Sequence, residues 1–140
     1  MKQILVADNH PVVRKFMYEL ITKEGHDVIT AKDGLSALQL LESYTPDVIF
    51  IDLVMPNIDG KKLCQIIRSR KNLEHCFIVI LSGIAVEEGE KHSPEELGAD
   101  LIIAKGPFDR LSWHVNYILK HLERGRLDHL QGVTIGSKDL

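Results

Sequence analysis

Four short runs limit what this chain can become: Ile4-Leu5-Val6-Ala7, Asp47 to Ile51, Phe77 to Leu81 and Leu101 to Ala104 are apolar and rich in β-branched residues, without polar residues at alternate positions. A strand with one wet face alternates, whereas a strand covered on both faces reads as an unbroken apolar run. Such runs therefore point to a parallel sheet enclosed between helices. His26 to Ala31 is a weaker fifth candidate. Between the runs lie helical stripes: Val13, Phe16, Met17, Leu20 and Ile21; Leu35, Leu38 and Leu41; Leu63, Ile66 and Ile67; and Leu111, Val115, Ile118, Leu119 and Leu122. Gly25 and Gly125 stand where helix C-caps are expected, and the connections are short and carry Gly, Pro, Asn and Asp. The strict β-α alternation predicts an α/β chain with a doubly wound five-stranded parallel sheet and right-handed crossovers. With 140 residues, 44% of them hydrophobic, there is material for one such core and not for a second full domain.

Two stretches are less regular. Val86 to Leu97 has a thin apolar stripe and predicts only a short helix, with Ser93 as cap, Pro94 at the first helical position and Glu96 completing a capping box. From residue 125 to 140, glycines at 125, 132 and 136 and the lack of any sustained period predict a tail or a truncated linker to a further domain.

Charge and composition exclude several classes. Against 20 Asp and Glu there are 17 Lys and Arg, a net charge of -3, so direct nucleic-acid binding through bulk positive charge is not expected. No apolar run approaches the roughly 20 residues of a membrane span, and the N-terminus reads as no export signal, so a cytoplasmic protein without membrane contact is expected. Cys64 and Cys76 lack metal or redox spacing and are expected as packed, reduced thiols. The seven histidines, at 10, 26, 75, 92, 114, 121 and 129, form no His-x-x-x-His pair and are expected at the surface, with His114 and His121 on a solvated face of the last helix. Phe108 and Trp113 are expected to anchor that helix. No Gly-rich phosphate loop follows the first strand, which disfavours a Rossmann dehydrogenase or a P-loop NTPase.

In an open parallel sheet, ligands bind beyond the carboxyl ends of the strands. Strand one ends at Asp8-Asn9, strand three at Asp52, strand four at Ser82 and strand five at Lys105. Each residue alone is ordinary turn chemistry. Together they bring to one rim two carboxylates and a carboxamide, which suit a hard cation such as Mg²⁺, and a hydroxyl and an ammonium, which suit phosphoryl oxygens. A carboxylate held between those two groups is placed to accept a phosphoryl group.

Asp8-Asn9, the stretch Asp52-Leu-Val-Met55-Pro56-Asn-Ile-Asp59-Gly60, Ser82-Gly83, Gly98-Ala99-Asp100 and Lys105 resemble, in order and spacing, the receiver domain of two-component response regulators, over about residues 2 to 124. The resemblance implies a flavodoxin-like three-layer (βα)5 sandwich of strand order 2-1-3-4-5, with the receiver domain at 1–124 and the tail or linker at 125–140. It implies that Asp52 accepts a phosphoryl group from a histidine kinase or phosphotransfer protein. Mg²⁺ would be held by Asp8, Asn9, Asp52 and the Val54 carbonyl, and the phosphoryl oxygens by Ser82 and Lys105. Met55, Pro56 and Gly60 would shape the loop beside the acceptor, and Ser82 with Ile102 would form the switch. A signalling switch, not a turnover enzyme, is the implied role, with an effector or kinase domain possible beyond the C-terminal end. Three positions depart from the family. Asn9 replaces a second acid, so weak Mg²⁺ binding is expected; Gly106 separates Lys105 from Pro107; and Ile102 stands where an aromatic residue is common. With no ring to swing at Ile102, a response to phosphorylation is expected in residues 83 to 97.

Two other readings compete. Asn9 and Gly106 suit a phosphorylation-independent pseudo-receiver that kept the fold as a protein-binding module. A hydrolase resembling the haloacid dehalogenases would use Asp52 as nucleophile but wants a second Asp two residues on, where this chain has Val54.

Overall fold

In the computed structural model, which describes residues 1–83, 93–123 and 131–135, each apolar run is a strand. These are β1 (Gln3–Ala7), β2 (Asp27–Ala31), β3 (Val48–Asp52), β4 (Phe77–Ser82) and β5 (Leu101–Ala104). They alternate with helices α1 (Pro11–Lys23), α2 (Gly34–Leu40), α3 (Gly60–Ser69), α4 (Pro94–Leu97) and α5 (Phe108–Glu123), and a 3-10 turn at Lys71–Leu73 follows α3. All strand pairs are parallel, in the expected order with one addition: a short strand β6 (Val133–Ile135) pairs with the outer edge of β5, giving β2-β1-β3-β4-β5-β6.

Successive side chains of a strand point to opposite faces, so each apolar run feeds two cores. Ile49 and Ile51 of β3 pack with Leu63, Cys64 and Ile67 of α3, whereas Val48 and Phe50 pack with Met17 and Ile21 of α1 and Val115 and Ile118 of α5. All four β3 residues are fully buried, each contributing about 2 kcal/mol of apolar burial. The stripe of α2 is only partly as expected: Ala37 and Leu41 are buried, but Leu35 is 52% exposed. A helix of seven residues turns too few times to carry a full stripe, and Asp33 fixes its phase by accepting from the Ser36 N–H at 2.7 Å.

Other local expectations divide. Gly25 ends α1 with φ +90°, and Ser93 caps α4 by accepting from the Glu96 N–H at 3.3 Å. The remainder of the stretch beginning at Val86, and Gly125, fall at 84–92 and 124–130, outside the described residues. Phe108 does anchor α5, stacked on Phe16 of α1 with ring centroids 4.5 Å apart. Trp113 does not; it is 48% exposed and stacks on Tyr117 of its own helix. His26 and His114 are buried rather than superficial. Both cysteines are buried and free, and burial pushes the Cys64 thiol up to about 12 and the Cys76 thiol up to about 11, so neither offers a reactive thiolate at neutral pH. No described helix is long and apolar enough to cross a membrane.

Candidate functional site

The sheet order places the site. After β1 the chain leaves toward α1 on one face, and after β3 it leaves toward α3 on the other, although β1 and β3 are neighbours. The two loops diverge and open a crevice at the carboxyl ends of these strands, the switch point of a doubly wound sheet. Asp8 and Asp52 stand in that crevice, 0% and 3% exposed.

Backbone bonds across the sheet fix the rim. The Asp8 N–H donates to Ala31 O at 3.0 Å, the Leu53 N–H to Leu81 O at 3.0 Å and the Lys105 N–H to Ser82 O at 2.7 Å. Side chains then converge. Lys105 Nζ lies 3.0 Å from Asp52 Oδ2 and 3.1 Å from Asp8 Oδ2. Asp52 Oδ1 accepts from the Val54 N–H at 3.3 Å, and Asp52 Oδ2 from the Asn9 N–H at 3.5 Å. Asp8 Oδ1 accepts from the His10 N–H at 2.7 Å, while the Arg14 guanidinium donates to the Asp8 carbonyl at 2.8 Å.

The sequence-predicted residues are not all equally drawn in. Asp8, Asp52 and Lys105 form one cluster. Asn9 is exposed and meets Asp52 through its backbone. Val54 is 74% exposed, with its N–H turned to Asp52. Ser82 is buried one residue beyond Leu81, the register partner of Asp52, and its hydroxyl donates to Gly83 O at 3.2 Å. Ile102 is 1% exposed and packed in the core, in register with Ile80. Met55 is buried in the same core, and Pro56 is exposed. Gly60 presses against the end of β3, where an added Cβ would lie 2.5 Å from Asp52 O. Gly106 has no such constraint: positive φ among the described residues is confined to Asn57, Gly25, Gly98 and Gly132, and a Cβ at 106 would meet open space. The Lys105 amine reaches Asp52 without Gly106 using the left-handed conformations open to glycine. The Gly106-Pro107 peptide bond is cis.

One residue of the site was missed. His10 Nδ1 lies 2.7 Å from Lys105 Nζ, 3.1 Å from Asp8 Oδ1 and 3.5 Å from Asp52 Oδ2. A search for histidine pairs along one element does not find it, because its companions are carboxylates from two strands. The available signal was its place two residues after Asp8, on the same strand-end loop.

Burial pushes the Asp8 carboxyl above its ordinary value of 3.8; the His10 N–H opposes this, the Asp52 charge adds to it, and Lys105 offsets part of it. Asp8 Oδ2 is buried and takes no hydrogen bond, only the ion pair with Lys105. Two carboxylates facing one crevice, one with an oxygen still short of a hydrogen bond, fit a metal cation. Without a cation, the charge on Asp8 opposes folding. A carboxyl raised in the folded state stabilises most while protonated, and that contribution is lost as pH rises from 3.8 through the raised value. In metal-free buffer at neutral pH, Asp8→Asn is therefore expected to be more stable than the wild type by about 1 kcal/mol, or about 3 °C in Tm. The gap should close toward pH 4 in thermal melts; a less stable Asp8→Asn would show that the Lys105 pair outweighs the burial.

The response regulator receiver domain family matches residues 4–127. Among curated proteins, the chain is 34% identical over 124 residues to the alkaline phosphatase synthesis transcriptional regulatory protein PhoP of Bacillus subtilis, covering 87% of this chain and 50% of that protein. It is 31% identical over 110 residues to the protein PilG of Pseudomonas aeruginosa, covering 77% of this chain and 78% of that one. The chain thus spans about half the length of relatives such as PhoP. Among solved structures it resembles the response regulator protein TrrA of Thermotoga maritima in complex with Mg²⁺-BeF, with a TM-score of 0.69 and 29% identity, covering 84% of this chain and 99% of that one. The family match runs from β1 past the end of α5 and so takes in every strand end that lines the crevice, and on that ground the chain belongs to the response regulator receiver domain family.

Proposed function

We propose that the chain is a phosphoryl-accepting switch in which Asp52 is the acceptor, supplied by a histidine kinase or a histidine phosphotransfer protein. The observation that carries this reading is the Lys105 ammonium 3.0 Å from a buried Asp52 carboxylate at the switch point of the sheet. Asp52 Oδ attacks the donor phosphorus; an O–P bond forms as the P–N bond of the donor phosphohistidine breaks, and the electron pair leaves with the imidazole. Lys105 follows the charge onto the transferred oxygens, and the Val54 N–H holds the carboxylate in line. Asp8, Asp52 and the Val54 carbonyl, with the position-9 side chain, are the groups that would hold Mg²⁺, which when bound supplies neutralisation of phosphoryl charge. Ser82 is placed to turn its hydroxyl from Gly83 O toward the new oxygens, and the buried aliphatic Ile102 passes the change on by packing against the core that includes Leu97. The chain acts as a signalling switch and releases no substrate. Its partners are the phosphodonor protein and an effector, on the same or another polypeptide.

The test is incubation with a small acyl phosphate donor and Mg²⁺, read by intact mass. One phosphoryl group should be added to the wild type and none to Asp52→Asn. An adduct that persists in the variant would remove Asp52 as acceptor; a wild type that takes up nothing would favour the protein-binding pseudo-receiver.

A further inference from the structure

We propose that His10 makes the crevice a mixed nitrogen and oxygen cation site, which selects a divalent cation with affinity for imidazole, such as Zn²⁺, over Mg²⁺. The proposal rests on the phosphoacceptor reading above and deepens it by naming the cation that the site prefers.

One ligand atom from each of Asp8, His10 and Asp52 lies within 4.8 Å of the others. Two ligands about 2.1 Å from one cation stand about 3.0 Å apart at an octahedral angle and about 3.4 Å apart at a tetrahedral one. His10 Nδ1 is 3.1 Å from Asp8 Oδ1 and 3.5 Å from Asp52 Oδ2, the separations of neighbouring ligands on a common ion. A second observation concerns charge. The Lys105 ammonium lies 2.7 Å from His10 Nδ1, 3.1 Å from Asp8 Oδ2 and 3.0 Å from Asp52 Oδ2. Asp8 Oδ2 is buried and takes no hydrogen bond, which leaves an oxygen open to a cation. All three side chains thus already converge on one cation.

The identity of the third donor decides the preference. Asn9 brings no charge and is exposed, while the imidazole of His10 faces the two carboxylates. Mg²⁺ takes oxygen ligands and sheds water reluctantly, whereas imidazole nitrogen raises affinity along the first-row series toward Zn²⁺. With its side chain 59% exposed, His10 can be replaced without opening the core.

Calorimetric titration of the full chain with Zn²⁺ and with Mg²⁺ tests this in the wild type, His10→Ala and Asp52→Asn. In His10→Ala, Zn²⁺ affinity should fall about 10-fold or more while Mg²⁺ affinity stays within about 2-fold. A Zn²⁺ to Mg²⁺ preference unchanged in His10→Ala would overturn the proposal. Zn²⁺ held by other histidines is separated by imidazole ¹⁵N spectra: saturation should shift His10 Nδ1 in the wild type, and a His10 signal that stays in place would also overturn it. Zn²⁺ binding that survives in Asp52→Asn would put the ion elsewhere and overturn the proposal, leaving the phosphodonor experiment to judge Asp52 independently.

Discussion

Lys105→Met should slow phosphoryl incorporation at Asp52 by about 10²- to 10³-fold, the usual loss when a preorganised group facing transition-state charge is removed. Methionine keeps the length and much of the apolar stem, so the variant removes the ammonium and little else. That ammonium is well placed for a large effect. The Lys105 side chain is only 14% exposed, its main chain is pinned by the bond to Ser82 O, and its Nζ bridges two buried carboxylates. In a water-poor crevice such a charge counts for more than it would at the surface. The same substitution should have the opposite effect on cation binding, because the ammonium shares Asp8 and Asp52 with an entering Mg²⁺: Mg²⁺ should bind more tightly to Lys105→Met in the absence of phosphodonor. A rate measured by intact mass and an affinity measured by titration thus move in opposite directions, which a merely misfolded variant would not produce. A rate loss below about 10-fold would mean that Lys105 serves the carboxylates of the resting state and not the transferred group.

The strand ends were legible because two simple regularities coincide in them. Runs such as Val48 to Ile51 identify strands buried on both faces, and parallel strands deliver whatever follows them to one rim, so the sequence alone assigns Asp8, Asp52, Ser82 and Lys105 to one rim. What escaped depends on partners distant in sequence. β6 is three residues long and carries no pattern of its own; it is a strand because the outer edge of β5 offers unpaired backbone groups. His10 escaped for the same reason, since its significance lies in carboxylates from β1 and β3 and in the Lys105 amine 95 residues away. Leu35 shows the converse error: its spacing to Leu38 is helical, but the buried side chains here are Ala37 of α2 and Leu41 at its C-cap. At Gly106 the loop uses no conformation reserved for glycine, and the Lys105 amine still reaches Asp52.

Gly60→Ala should be strongly destabilising, and it tests how the fold holds the acceptor. Gly60 is the first residue of α3 and is buried where that helix docks on the end of β3, with its N–H donating to Leu53 O at 2.9 Å. An added Cβ would lie 2.5 Å from Asp52 O and 2.8 Å from Leu53 Cα. These are main-chain atoms held in the sheet and its first loop, so no side chain can rotate away to make room. Either the helix start lifts, loosening Leu63, Cys64 and Ile67 from their core, or the end of β3 shifts and carries the Asp52 carboxylate with it. Overpacking against backbone costs about 2–4 kcal/mol, equivalent to a fall of about 6–12 °C in Tm for a domain of this size. Phosphoryl incorporation should fall as well, at temperatures where the variant is still folded, because the clash is with the acceptor's own carbonyl. Gly106→Ala is the control: that position has open space and no positive φ, so Tm should hold or rise slightly as the unfolded chain loses freedom. Thermal melts of the two variants decide the matter. Equal Tm values would mean that α3 can withdraw from β3 at no cost, and that the acceptor is positioned by β3 alone.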